Sequence, residues 1–127
     1  MDLKQCINFK NLTMKNLLAV STGMVQKYGH QSAFLYSVMD DLYCEKMKAG
    51  DLDATGWFCE NDSNPASLSN LSVKSFSNHL LPLIKDGFIQ RQVIELRHYF
   101  KVNLDVMNRF LDEWEMESAK EVKHKNE

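Results

Sequence analysis

The segment from Ser72 to Asn103 reads SVKSFSNHLLPLIKDGFIQRQVIELRHYFKVN, and its hydrophobic pattern changes at Gly87. Before this glycine, apolar residues recur at the spacing of an amphipathic helix, which Ser72 would cap and Gly87 would end. After it, apolar and polar residues alternate, which predicts a β-hairpin. The predicted apolar face of the helix is Val73, Phe76, Leu80, Leu83 and Ile84, and the predicted strands span 88–93 and 98–103, joined through 94–97.

Upstream, the periodicity predicts two helices and a short strand. The first helix spans 13–28, with Thr13 as N-cap and Gly29 as its stop. The second spans 31–48, and an aromatic strand follows at 57–59. The predicted core side of the second helix is Phe34, Leu35, Val38, Leu42 and Tyr43.

Between this strand and Ser72, the sequence predicts one very short helix. Asn64 would be its N-cap, with Pro65 at the first helical position. Asn70 suits the left-handed conformation that a tight turn between helices needs. Pro82 lies inside the next helix, where it removes one backbone hydrogen bond and is expected to bend the C-terminal half.

The final helix is predicted over residues 104–119. The expected organisation is a single domain over 1–119, with its core in 30–103, followed by a charged and frayed tail over 120–127. The fold class is therefore mainly α with a small β-hairpin, in the order helix, helix, strand, helix, helix, hairpin, helix. Such an order is typical of a winged helix-turn-helix with extra N- and C-terminal helices.

Composition and charge limit the class of protein. The chain has 127 residues, of which 44% are hydrophobic and 25% charged, typical of a globular domain. No apolar run approaches the roughly 20 residues that would cross a bilayer, and the N-terminus does not resemble a signal peptide, so a cytoplasmic protein without membrane contact is expected. The net charge is −2, but residues 72–101 carry five bases and two acids, which allows one basic face.

Metal, cofactor and catalytic functions are not predicted. Cys6, Cys44 and Cys59 are widely spaced, and the four histidines stand alone, so the close ligand pairs of a zinc site are missing. No nucleophile motif or phosphate-binding glycine loop occurs, so an enzyme is not expected. The acids of the 40–45 stretch are better explained as a solvated helix face.

Short motifs lie in a fixed order between residues 30 and 103. They are AFLYS at 33–37, GWF at 56–58, NLSVKSFSNHL at 70–80, LIKDGFI at 83–89 and HYFKVN at 98–103. Together they resemble the winged helix-turn-helix domain of plasmid and phage replication initiators and replisome organisers. The helix–glycine–hairpin part is also similar to transcriptional repressors of the MarR and PadR type.

The resemblance implies binding of double-stranded DNA by a recognition helix that starts at Ser72, with the hairpin as a wing. Asn78 would contact adenine, and Lys74 a guanine edge or a phosphate. Ser72 and Ser75 suit phosphate contacts near a helix N-terminus. The complete predicted set is Ser72, Lys74, Ser75, Ser77, Asn78 and His79 on the helix, and Arg91, Arg97, His98 and Lys101 on the wing.

The last helix suggests a homodimer, because many winged-helix binders pair through terminal helices. The predicted interface residues are Met107, Phe110, Leu111 and Trp114, which would otherwise pack on their own domain. The implied role is replication initiation, transcription control or DNA transfer on a mobile element, with a protein of that machinery as a further partner. A winged-helix protein-interaction module and a ligand-responsive repressor are the alternatives.

Overall fold

The computed structural model describes residues 18–125, and the side chains of residues 18–119. Within this range, the helices are α1 (Thr22–Tyr28), α2 (His30–Ala49), α3 (Ser63–Leu68), α4 (Val73–Lys85) and α5 (Leu104–Lys125), and the strands are β1 (Phe58–Cys59), β2 (Ile89–Ile94) and β3 (Arg97–Val102). The predicted order of elements and the mainly α class are confirmed.

The three strands form one antiparallel sheet in the order β1-β3-β2. Phe58 lies opposite Phe100, and Ile89 lies opposite Val102. These four side chains are buried, so one face of the sheet closes the core. A short strand, two close helices and a hairpin on one sheet make the architecture winged-helix-like.

The core lies between α2, α4 and the inner face of the sheet. Phe76 of α4 meets Phe100 of β3 edge-on, with ring centroids 6.4 Å apart. The remaining buried apolar residues of these helices and strands, together with Phe88 just before β2, are Ala33, Leu35, Tyr36, Val38, Met39, Leu42, Phe58, Leu80, Leu83, Ile89 and Val102. Burial of this set anchors α4 by one face and leaves its opposite face free.

Helix α1 begins later than predicted. Residues 18–20 are not helical, and α1 starts at Thr22, where the Ser21 hydroxyl accepts a hydrogen bond from the Met24 amide at 3.3 Å. Ser21 therefore takes the capping role, because it satisfies an amide that has no partner within the helix. The predicted cap at Thr13 lies outside the described residues. Gly29 ends the helix as expected, with a φ of +89°.

Two residues predicted to be core are exposed. Phe34 is 37% exposed on α2, and Val73 is 47% exposed on α4. Val73 is the first residue of α4, and its side chain lies outside the core. Phe34 instead borders an open groove between α1 and α2.

Helix α3 starts at Ser63, so the predicted N-cap at Asn64 is wrong. Asp62 occupies the N-cap position, but its carboxylate makes no capping bond because it is paired with Arg91 of the hairpin. Asn70 adopts a φ of +56°, which confirms the predicted left-handed turn into α4.

Helix α4 begins and ends where predicted. The Ser72 hydroxyl accepts from the Ser75 amide at 3.1 Å, and Gly87 adopts a φ of +85° after the last turn. The helix continues through Pro82 to Lys85, although Pro82 has no amide to donate to the Asn78 carbonyl.

The strands of the hairpin have the predicted length, but each lies one residue closer to the turn than predicted. β2 and β3 pair out to Ile94 and Arg97, and only Glu95 and Leu96 form the turn, instead of the predicted residues 94–97. Both turn residues have positive φ, +50° and +68°, the pattern of a two-residue type I′ turn.

Helix α5 runs to Lys125, past the predicted end at residue 119. It packs on its own chain: Phe110 meets Phe88 edge-on at 5.6 Å, and Met107 is buried. Trp114 lies over Gly23, where a Cβ would come within 3.0 Å of the indole. No helix among the described residues is long and apolar enough to span a membrane.

Candidate nucleic-acid interface

The free face of α4 carries the most accessible residues of the predicted site. Lys74 and Asn78 are both exposed and lie four residues apart, one turn above the other on the same side of the helix. Leu81, three residues beyond Asn78, is 60% exposed on this side and was not predicted as a site residue. Its signal in the sequence is an apolar residue outside the apolar face of the helix.

The N-terminus of α4 is electrostatically suited to an anion. Its first turn contains Lys74 and no acid. The free amides of that turn and the helix dipole both favour negative charge at this end. Ser72 uses its hydroxyl oxygen to cap the helix, but its O–H proton stays available for donation.

The other predicted residues of α4 lie closer to the rest of the domain. Ser77 is half-buried and accepts a hydrogen bond from Arg91 Nη1 at 3.5 Å. His79 is half-buried, and its backbone carbonyl accepts from the Ser32 hydroxyl at 2.9 Å. Ser75 is also half-buried beside the cap. These side chains therefore border the free face, whereas Lys74 and Asn78 stand on it.

On the inner face of the hairpin, Arg91 and His98 form a cluster with Asp62. The guanidinium of Arg91 makes an ion pair with Asp62, and its Nη2 lies 2.9 Å from His98 Nδ1. His98 Nδ1 also lies 3.1 Å from Asp62 Oδ1. The Asp62 side chain is only 10% exposed and that of Arg91 22%.

This cluster bears on the predicted role of two wing residues, which stays a prediction. The sequence predicts Arg91 and His98 as cations that face DNA, but both side chains are turned toward Asp62 at the start of α3. The Arg91 guanidinium also lies over the Phe100 ring, 5.7 Å from its centroid. The cluster thus joins the hairpin, α3 and, through Ser77, α4. Asp62 itself was missed, because nothing local in the sequence pairs it with a residue 29 positions away.

Arg97 and Lys101 lie on the opposite, outer face of the hairpin. Arg97 is opposite Ile94, and Lys101 is opposite Gln90, so all four belong to the face that does not contact the core. Arg97 is exposed, whereas Lys101 is half-buried, with its Cε close to Gly56. Of the predicted wing cations, Arg97 and Lys101 are the two that lie on the outer face of the hairpin.

The described residues contain no group of three or more histidine, cysteine, aspartate or glutamate side chains that could hold a metal ion. Cys44 and Cys59 are free thiols, and burial raises the pKa of the Cys44 thiol. An open groove of about 440 Å³ lies between α1, α2 and the end of α3, where Val20, Val25 and Phe34 line it with three polar residues. None of the predicted DNA-contact residues lines this groove.

The predicted dimer residues on α5 contact their own domain. Met107 belongs to the core, Phe110 packs on Phe88 and Tyr28, and Trp114 covers α1. Leu111 is partly buried against the core. Their role in pairing two chains stays a prediction.

Comparison with known proteins gives a likeness in fold and none in sequence. No protein-family model matches the chain, and no curated protein matches it. A solved structure described as "Structure of Rep-DNA complex" has a TM-score of 0.59 and 12% identity, over 81% of this chain and 82% of the other. A second, "N-Terminal domain of DNA binding protein", has a TM-score of 0.57 and 13% identity, over 81% of each chain. At this identity the likeness is one of fold, and the chain shares its architecture with these two domains.

Proposed function

We propose that this chain binds double-stranded DNA, with α4 in the major groove and the hairpin β2–β3 beside it. The observation that carries the proposal is the free face of α4, where Lys74 stands exposed in the first turn, at the end of the helix that favours anions, and Asn78 stands exposed one turn further along. An α-helix fits the major groove, and these two side chains are of types that read base edges there. The fold likeness to a Rep–DNA complex supports the same assignment.

Each residue of the interface has a distinct proposed role. Asn78 makes a bidentate contact to adenine, and Lys74 contacts a guanine edge or a phosphate. Ser72 and Ser75 donate to phosphate oxygens at the helix N-terminus. Arg97 and Lys101 contact the backbone, which positions the protein without reading sequence. Three further residues, Ser77, Arg91 and His98, act by holding the wing against the rest of the domain, and His79 borders the contact surface.

The finer assignment is sequence-specific binding in the replication of a mobile element such as a plasmid or phage, by two copies of the chain on adjacent half-sites. The few accessible bases on one copy support the use of two, because linked half-sites multiply affinity. Sedimentation of the chain with and without duplex measures the stoichiometry. One copy per duplex at saturation would contradict the dimer.

Fluorescence anisotropy with a mixed-sequence duplex tests DNA binding. We expect binding at low salt that weakens as salt rises, because phosphate contacts release counterions. The double variant Lys74→Ala/Asn78→Ala should bind this duplex about fivefold more weakly, because the Lys74 contact to phosphate does not depend on sequence, whereas the loss of the Asn78–adenine contact adds to this only on a duplex that carries the site. Lys48→Ala/Asn108→Ala removes the same two residue types at exposed positions of α2 and α5, and this control should bind like the wild type.

Absence of salt-dependent binding by the wild type would overturn the proposal. Equal losses in the two double variants would also do so, because the effect would then come from overall charge and not from α4. In either case the free face of α4 would be better explained as a protein-interaction surface.

A further inference from the structure

The tip of the hairpin is apolar and exposed. Leu96 is 93% exposed at the turn, and Val93 and Ile94 beside it are 56% and 47% exposed. Three large apolar side chains are thus exposed at the tip of the wing, where polar residues would favour solubility.

The backbone conformation of Leu96 is also unusual for a leucine. Its φ of +68° lies in the left-handed region, which glycine and asparagine occupy readily and a leucine side chain does not. Leu96 is therefore unfavourable at this position both for the conformation and for the contact with water. Residues that violate local rules in this way are concentrated at functional sites.

The position of the tip follows from the contact between the hairpin and α4. Arg91 Nη1 donates a hydrogen bond to the Ser77 hydroxyl at 3.5 Å, so β2 lies against α4 at this residue. Leu96 lies five residues further on, and at about 3.3 Å per residue the tip extends about 16 Å beyond this point. The major groove is about 12 Å wide, so a wing of this length is long enough to reach beyond the phosphate backbone to a flanking minor groove when α4 lies in the major groove.

We propose that Leu96, with Val93 and Ile94 on the two faces of the hairpin behind it, is an apolar wedge that enters the minor groove and partly unstacks a base step beside the α4 site. This inference rests on the proposed DNA binding and adds a specific action to it. Leucine and isoleucine are among the side chains that proteins insert between base steps, which kinks the duplex. Arg97 directly follows Leu96 and lies opposite Ile94, so a cation accompanies the wedge toward the phosphates.

Duplex DNA fits the tip better than a purely apolar partner does. Arg97 stands exposed at the base of the turn, and Lys101 continues the same outer face of the hairpin. A purely apolar partner would have to cover the charges of Glu95 and Arg97, which flank Leu96, whereas the phosphate backbone pairs with Arg97.

The test compares Leu96→Asn with Leu96→Met in the full chain. Asparagine suits the left-handed turn and removes the apolar side chain, so the fold is retained. Binding and bending are followed on a mixed-sequence duplex of about 20 base pairs with a donor and an acceptor dye at its ends. We expect the wild type and Leu96→Met to raise energy transfer on binding. Leu96→Asn should lose most of that rise and bind roughly threefold or more weakly. Leu96→Gly provides a second fold-compatible variant, with the same expected loss.

Three results would overturn the inference. If the wild type binds but Leu96→Asn and Leu96→Gly bind and bend DNA equally well, the wedge is wrong and DNA binding stands. If the substitutions change only self-association in sedimentation, the tip is a contact between copies. If the wild type does not bind the duplex at all, the wedge and the proposed function both fail.

Discussion

The free face of α4 and the inner face of the hairpin both carry basic and polar side chains, but those on α4 are exposed and those on the hairpin are paired with an acid. Lys74 and Asn78 on α4 are exposed. Arg91 and His98 on the hairpin are held by Asp62, which is almost fully buried. Asp62, at the start of α3, pairs with Arg91 and His98, and we therefore assign these two residues to the position of the wing and Lys74 to the ligand.

The largest expected effect tests the structural side of this comparison. Arg91→Ala should lower the free energy of unfolding by about 2 kcal/mol, because it leaves the nearly buried carboxylate of Asp62 without its ion pair. Denaturant unfolding measures the loss. Arg97→Ala removes an exposed arginine from the same hairpin and should stay within about 0.5 kcal/mol of the wild type. Similar stabilities of the two variants would contradict the role given to the cluster.

The next effect tests the binding side. Lys74→Ala should weaken binding to any duplex about fivefold, and should reduce the slope of log affinity against log salt by about 1, as expected for one lost phosphate contact. Its stability should not change, since the side chain is exposed. Salt-dependent anisotropy measures both quantities, with Lys48→Ala as the control. A salt slope that stays at the wild-type value would place Lys74 away from the phosphates.

A smaller effect is expected at the outer face of the wing. Arg97→Ala should weaken duplex binding about twofold to threefold, since a peripheral backbone contact contributes little beyond its charge. The same salt titration measures it, with Arg109→Ala on α5 as a matched exposed arginine. An effect larger than that of Lys74→Ala would make the wing, and not α4, the main contact.

The smallest effect lies in α2, which carries no residue of the candidate site. Burial and the neighbouring Asp41 raise the pKa of the Asp40 carboxyl. A carboxyl whose folded pKa is raised stabilises the fold fully below its unfolded pKa, and this contribution is lost as pH rises through the folded pKa. Asp40→Asn should therefore raise stability at pH 7 by a few tenths of a kcal/mol and flatten the decrease between acid and neutral pH. Thermal unfolding at pH 4 and pH 7 checks this, with unchanged duplex affinity; a destabilised variant would contradict it.

Much of α4 and its boundaries was predictable because local rules set them. Ser72 caps the helix, Asn70 makes the turn before it and Gly87 ends it, and each depends only on adjacent residues. The change of period after Gly87 likewise predicted the hairpin.

What was missed depends on contacts across the fold. The hairpin turn at Glu95 and Leu96 lacks the glycine or asparagine that normally marks it, so its length was predicted wrongly. Asp62 and Arg91 meet only because β2 packs beside the start of α3. The open groove beside Phe34 depends on how α1 packs against α2, which the sequence of α2 alone does not determine.

The measurement that tests the central claim most directly is selection of bound duplexes from a random library by the wild type and by Asn78→Ala. We predict that the wild type enriches a defined site and that Asn78→Ala loses preference at one adenine position in each half-site while keeping the rest, as one bidentate contact per copy requires. The Asn108→Ala control should enrich the wild-type site. Enrichment of the same full site by Asn78→Ala, or no enrichment by the wild type, would contradict base reading by α4.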